Sequence, residues 1–300
     1  MELSDASLVR LAEVRLRDPD SIISALLERR RRRVLAPDGL LFIVAADHAA
    51  RGALAAGTDP VAMGDRLDLI RRLATALEHP RVDGVLGSAD IIEDLALLRV
   101  LDDKIVLGTM NRGGIPGASW EMDDRMTAYD AEHLDRCGLD GGKILLRIDL
   151  DDPGTVRTLE AAGRAVTELS DRKLIAMLEP LPYSRRADGR SVFDSRAGRV
   201  TQAVAVASGL GASSTRTWLK IPVGPGTREA LSATTCPTLL MGGPLAQDRR
   251  KALCSWAEAL AHPHCRGLVV GRNVLYPPDG DVAAAVDAIA AIVTAEAERS

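Results

Sequence analysis

Lys220 stands in the run TWLKIPVG, among Leu219, Ile221, Pro222 and Val223. An ammonium is costly to bury in such surroundings unless it is paired, and burial pulls its pKa toward neutrality. A neutral amine adds to a carbonyl, so the run reads either as a Schiff-base lysine or as a lysine snorkelling from a strand end. Two other apolar runs hold groups that such an amine would use. GGKILLRIDL contains Lys143, Arg147 and Asp149, and KLIAMLEPLPY contains Glu179 followed by Tyr183. An acid beside a cationic amine can hold it charged, move a proton or assist carbinolamine dehydration. The plainer reading of Glu179 is a strand-end salt bridge.

LFIVAADHAARG ends in Asp47 and His48. Asp47 could align the amine or accept a substrate hydroxyl. His48 is a candidate substrate contact, with a buried structural histidine as the alternative. No matching ligand cluster accompanies it, so neither metal nor cofactor is expected. The last two apolar runs continue into Gly242–Gly243 and into Gly271–Arg272–Asn273. Glycines let backbone N–H groups approach an anion, and an arginine adds paired donors. Either motif alone is also an ordinary turn; together they suggest a phosphate site, with Arg147 and His48 as further substrate contacts.

These residues need elements that bring them to one place. Eight short runs rich in Val, Ile and Leu recur after residue 39: 40–46, 82–86, 105–109, 143–148, 174–179, 217–221, 238–241 and 267–270. Amphipathic segments separate them, over 60–77, 91–101, 154–169, 199–210 and 247–261, and a last one spans 282–297. Fully apolar strands alternating with helices imply a parallel sheet covered on both sides. Eight of them imply a closed (β/α)₈ TIM barrel, whose functional groups gather at the C-terminal strand ends. An open doubly wound sheet is the alternative.

The first 38 residues read as a helical extension and residues 39–300 as the catalytic barrel. Ser4 or Asp5 and Asp18 or Asp20 are the expected helix N-caps. The run Arg29–Arg33 reads as a solvated helix end suited to the macrodipole. The segment MNRGGIPGASWEMDDR is long for a loop after a strand and holds Asn111, Arg112, Asp124 and Arg125. It is either a cover for the site or a structural excursion.

Composition narrows the function. With 300 residues, 46% of them hydrophobic, the chain can bury one barrel-sized core. A formal charge of −4 gives no general case for nucleic acid or an anionic membrane surface. Four scattered cysteines and the lack of a signal-like or spanning segment suggest a reduced, cytoplasmic protein. The expected partner is a small molecule, a sugar phosphate or keto acid, and the expected assembly a homo-oligomer.

The motifs GLDGGKILLRIDLDDP, LIAMLEPLPY, TWLKIPVG, LLMGGP and VVGRNVLYP come in an order that resembles one group of class I aldolases. The group includes tagatose-1,6-bisphosphate aldolase, sulfofructose-phosphate aldolase and the archaeal-type fructose-bisphosphate aldolases. TAYDAEHL, with Tyr129 and Asp130, resembles the segment before the fourth strand of the tagatose type. The resemblance implies that Lys220 forms an imine with a ketose carbonyl and that Lys143 and Glu179 move protons. It implies that Gly242, Gly243, Gly271 and Arg272 hold a substrate phosphate, and that Asp47 matches the first-strand aspartate of the fructose-bisphosphate type. The chain departs from the tagatose type at Arg147 and Ile148, where an aromatic pair is common. Its long NRGG loop is closer to an actinobacterial aldolase-like barrel group linked to inositol breakdown. Other readings are a carbon-transfer barrel, a phosphosugar isomerase that uses Glu179 alone, and a catalytically silent sugar-phosphate-binding barrel.

Overall fold

The protein was analysed as a computed structural model, which describes residues 5–34, 39–187, 189–196, 198–243, 245 and 248–299. Among the described residues nine strands form: β1 (Leu41–Ala45), β2 (Gly84–Gly87), β3 (Ile105–Thr109), β4 (Gly141–Ile148), β5 (Ile175–Arg185), β6 (Ser191–Phe193), β7 (Thr217–Pro222), β8 (Thr238–Met241) and β9 (Cys265–Val270). All but β6 pair in parallel, in the order β4-β3-β2-β1-β9-β8-β7-β5, and a β4–β5 pairing closes the ring. The result is an eight-stranded (β/α)₈ barrel, as the eight apolar runs imply. The ninth strand is a departure: β5 runs on to Arg185 and turns back as an antiparallel hairpin with β6, joining Tyr183 to Phe193.

Side-chain alternation sorts each strand between two cores. Leu41, Ile43 and Ala45 point inward with Leu86, Ile105, Leu107, Ile175, Met177, Trp218, Leu239 and Val269, and fill the barrel. Phe42, Val44, Val85, Val106, Ile144, Leu146, Leu178, Leu219, Ile221 and Val270 point outward against the helices.

The helices are α1 (Asp5–Arg17), α2 (Asp20–Glu28), α3 (Arg66–Glu78), α4 (Ala89–Leu97), α5 (Ala131–Arg136), α6 (Gly154–Asp171), α7 (Arg199–Ser208), α8 (Thr227–Ser232), α9 (Arg249–Leu260), α10 (Arg272–Leu275) and α11 (Val282–Ala297). α3 begins later than its pattern suggests, because Asp65 caps it through Asp68 N–H and a 3₁₀ turn over Ala62–Gly64 precedes it. α4 stops before 101, since Arg99 adopts a left-handed φ of 60°. α9 starts after Asp248, whose carboxylate accepts from Lys251 N–H. Among the described residues no helix is long and apolar enough to cross a membrane.

Two expectations for the N-terminal extension need correction. Neither Asp18 nor Asp20 caps α2 with its side chain; the helix follows Pro19, and it is the Asp18 backbone carbonyl that accepts from Ser21 Oγ at 2.8 Å. Ser4, the boundary at residue 38 and Gln247 lie outside the described residues. The arginine run is a solvated helix end only in part: it starts at the C-cap of α2 and Arg30 and Arg31 are exposed, but Arg29 and Arg32 turn to the barrel. The chain then crosses under the barrel in extended form. The Arg29 side chain is 2% exposed and donates to Lys104 O (3.0 Å), Gly138 O (2.6 Å) and Asp140 (3.2 Å). Arg31 also pairs with Asp140 and Arg32 with Asp83, while Val34 packs against the inner core. The cations thus satisfy carbonyls and carboxylates at the N-terminal mouth that the barrel leaves open.

Candidate active site

Each inward row of side chains carries on past the apolar plug into a polar layer at the C-terminal mouth. The β1 row Leu41, Ile43, Ala45 continues to Asp47, and the β5 row Ile175, Met177 continues to Glu179, Leu181 and Tyr183. On β7 the inward residue after Trp218 is Lys220. Lys143 sits only third in β4, yet it pairs with Thr109, the last residue of β3, and with Met177 two residues before Glu179. The stagger of a closed barrel lifts an early β4 residue to the level of its neighbours' ends.

Four of these groups form one buried file. Glu179 accepts from Lys220 Nζ at 2.8 Å through Oε1 and pairs with Lys143 through Oε2. Lys143 Nζ donates to Asp47 at 3.1 Å. None is more than 5% exposed. Burial alone would push both carboxyls up. Lys143 and Lys220 instead hold Glu179 down at about 2, and Lys143 with Arg112 holds Asp47 well below the usual carboxylate range. Burial lowers Lys143 despite its two carboxylates.

Arg112 extends the file. Its guanidinium pairs with the Asp47 carboxylate, donates to Asp47 O at 2.8 Å and bonds Thr109 Oγ1. The long loop after β3 delivers it. Asn111 ties the loop's root to β4, donating to Leu145 O at 2.6 Å and accepting from Leu145 N at 2.9 Å. Arg51 grips Asp124, Asn111 O and Gly114 O from the segment after β1. The loop is therefore a folded wall of the site. Sequence reasoning placed Arg112 in a loop of open role; its partner is 65 positions away, and no local spacing marks it.

On the opposite side Gly242 and Gly243 follow β8, and Arg272 opens α10 after β9. Asn273 Nδ2 donates to Gly242 O at 2.9 Å, which locks the two loops together. Gly271 must be glycine: a Cβ there would lie 2.5 Å from His48 Cε1 and 2.6 Å from Ala45 O. Arg272 is only partly exposed, and burial lowers it with no carboxylate to offset the effect. Its Nε is buried without a partner among the described residues. His48 is held neutral, pushed down to about 4 by burial, and its Nδ1 lacks a partner among the described residues.

The buried file, Arg112, Arg51, His48, the Gly242–Gly243 pair and Arg272 line one cavity of about 770 Å³, a size suited to a small ligand. Arg147 lines it too, but its guanidinium is engaged by Gly114 O and Glu121 O at 3.0 Å, by the Glu121 carboxylate and by the Tyr183 ring. Lys251, Ser255 and Trp256 of α9, Phe193 of the hairpin and Pro116 complete the wall. Sequence reasoning assigned none of these five, since they come from a helix face and loop tips without a strand-end signature. Among the described residues no three His, Cys, Asp or Glu side chains gather as metal donors.

The groups gather at the C-terminal mouth of a parallel (β/α)₈ barrel, where two buried lysines and two buried carboxylates share a cavity with Arg272. The chain is a member of the Cgl0159-like family, which it matches over residues 39–290. It is similar to the crystal structure of Cgl0159 from Corynebacterium glutamicum, at 48% identity and a TM-score of 0.95 over 98% of this chain and 99% of that one. A Schiff-base-forming fructose-1,6-bisphosphate aldolase shares the fold at 20% identity and a TM-score of 0.64, over 91% of this chain and 99% of its own. So does an archaeal fructose-1,6-bisphosphate aldolase whose catalytic lysine carries the carbinolamine of its substrate, at 19% identity and a TM-score of 0.63, with 91% and 99% covered. No functionally curated protein matches the chain.

Proposed function

We propose that the protein is a class I aldolase that cleaves a phosphorylated ketose or keto-sugar acid through an imine on Lys220. The observation that carries this reading is the buried file Lys220–Glu179–Lys143–Asp47 in one cavity with Arg272, whose Nε has no partner among the described residues. A structural salt bridge needs one carboxylate per lysine at a strand end; it does not need the file to face a cavity that also holds a half-buried arginine. The barrel's likeness to Schiff-base aldolases agrees with the chemistry, and the sequence resemblance points to inositol or related sugar breakdown in the cytoplasm.

The steps follow from the geometry. Lys220 gives up its proton through Glu179 and its amine attacks the ketone. Lys143, hydrogen-bonded to Glu179, returns a proton as water leaves the carbinolamine, so the nitrogen becomes a cationic electron sink. Once the proton taken from Lys220 has passed through Lys143 to the departing water, Glu179 is a carboxylate again and accepts the C4 hydroxyl proton. Asp47 stays bound by two cations and serves as their counter-ion. Burial raises Tyr183, so its phenol stays protonated as a hydrogen-bond donor. The C3–C4 bond breaks to an aldehyde and an enamine, which is protonated and hydrolysed to release the ketone and the amine. Arg272, the Gly242–Gly243 backbone and His48 hold the phosphate.

Borohydride trapping tests the proposal. The expected result is a reduced adduct on Lys220 with a phosphorylated ketose or dihydroxyacetone phosphate, absent in Lys220→Ala. No adduct across a panel of phosphorylated ketoses and keto acids, or turnover retained by Lys220→Ala, sinks the imine.

A further inference from the structure

We infer that Glu121 is a specificity-determining residue, which neutralises Arg147 and so leaves the cavity with one phosphate site. The ligand is then a ketose or keto-sugar acid with a single phosphate, not a bisphosphate. This restriction deepens the reading above and rests on the phosphate placed at Arg272.

The ring of strands fixes which walls of the cavity face each other. In the closed order β4-β3-β2-β1-β9-β8-β7-β5, β9 stands four strands from β4 in either direction, and β8 stands four from β3. Arg272 after β9 and the Gly242–Gly243 pair after β8 thus face Arg147 near the end of β4 and the loop after β3 that carries Glu121. A ligand whose phosphate sits at the first wall sends its other end toward the second. Lys251 of α9 also lines the cavity, but α9 joins β8 to β9, on the side of Arg272.

The two walls hold their arginines differently. Burial lowers Arg272 with no carboxylate to offset it. Each arginine on the second wall has a carboxylate: Arg147 has Glu121, Arg51 has Asp124 and Arg112 has Asp47. Asp47 also serves Lys143, whose ammonium is engaged by Asp47 and Glu179 within the file. The Arg147 side chain is 3% exposed, and its Nη1 stands 3.2 Å from Glu121 Oε1. Its guanidinium also donates to Gly114 O and Glu121 O at 3.0 Å. An Nε–H on Arg147 and another on Arg112 have no partner among the described residues. They are hydrogen-bond donors on cations whose charge is already met. A phosphate brought to this wall would lose its hydration without gaining a free counter-charge. Leu145, Leu181, Phe193 and Pro116 add apolar surface on the same side. A hydroxyl or another small polar group fits there; a second dianion does not.

Glu121→Gln is a fair probe of this, because it keeps the side-chain length and an acceptor for Gly117 N–H, now held by Oε2 at 2.9 Å. The test is affinity, read from thermal unfolding of the full chain with fructose 1-phosphate, fructose 6-phosphate and fructose 1,6-bisphosphate. The wild type is expected to bind one of the monophosphates at least as tightly as the bisphosphate. Glu121→Gln should raise affinity for the bisphosphate relative to the monophosphates by about tenfold, the effect of one charge-assisted hydrogen bond. Adding Arg147→Met should cancel that gain, which a mere change in stability would not do. A wild type that binds the bisphosphate more tightly than both monophosphates overturns the inference, as does a wild type that binds none of the three. An unmoved ratio in Glu121→Gln overturns it too, and should that variant not fold, the wild-type comparison carries the test. Borohydride trapping with the same ligands separates the two claims. The expected preference without an adduct on Lys220 refutes the imine and leaves the single-phosphate site standing; an adduct with a preferred bisphosphate does the reverse.

Discussion

Arg272→Met offers the sharpest test of the anion site. The arginine is half-buried, its Nε has no partner among the described residues, and burial lowers its pKa with no carboxylate to counter it. In the unliganded protein no carboxylate among the described residues offsets this charge, so methionine, which keeps the apolar stem, should leave stability unchanged or slightly raised. A bound phosphate reverses the balance. Charge-assisted hydrogen bonds contribute about 1.5–3 kcal/mol each, and a two-pronged contact is discounted here to about 3 kcal/mol in all, or roughly a hundredfold in affinity. The expected result is a KM roughly a hundredfold higher for a phosphorylated ketose, with little change for its dephosphorylated analogue. Thermal unfolding supplies a second readout. Inorganic phosphate at 100 times its Kd should stabilise the wild type by about 2.7 kcal/mol, and the same concentration should leave the variant nearly unmoved. Equal losses with both substrates, or equal stabilisation of both proteins by phosphate, would refute the assignment.

Glu179→Gln leaves two buried ammoniums without their shared carboxylate and should cost about 3–5 kcal/mol in urea unfolding at pH 7. Its pH dependence is also fixed. The folded pKa is about 2 and the ordinary value 4.5, so this carboxylate's stabilisation is complete above pH 4.5 and fades as pH falls toward 2. Urea midpoints from pH 7 to 3 should therefore drop more steeply in the wild type than in the variant, and parallel curves would count against the pairing. Arg29→Met should cost about 3 kcal/mol, because Asp140 loses its buried partner and two carbonyls lose donors. Borohydride trapping on Lys220 should be unaffected by that change under folding conditions; a fall in yield would mean that the barrel floor and the site are coupled.

The barrel was legible in the sequence because its strands are buried on both faces and so appear as unbroken apolar runs. The site was legible for a related reason. A polar residue at the end of such a run, in step with the inward row, has few structural excuses, and Asp47, Glu179 and Lys220 share that position. What stayed hidden depended on distance in the chain. Arg29 looked like one charge in a solvated run because Asp140, its partner, lies 111 positions away, and Arg112 met Asp47 by the same kind of long reach. α5, α8 and α10 have six, six and four residues, too few for a helical period to show. The hairpin was masked by Pro180 and Pro182, which suggest a strand's end. The structure explains their tolerance: Ala176 N–H reaches Arg216 O on the β7 side, so alternation points both proline nitrogens that way, beyond the last β7 pair at Leu178 and Leu219.

The hairpin has a consequence for how such a protein can change over time. β6 is joined to the sheet through β5 alone and stands outside the closed ring, yet its Phe193 forms part of the cavity wall. Insertions or substitutions there can reshape the space beside Lys220 without breaking a barrel hydrogen bond or touching the charged file. The shape of the cavity rim and the charged file are thus carried on separable parts, so the rim can be rebuilt for a different ligand while the file stays as it is.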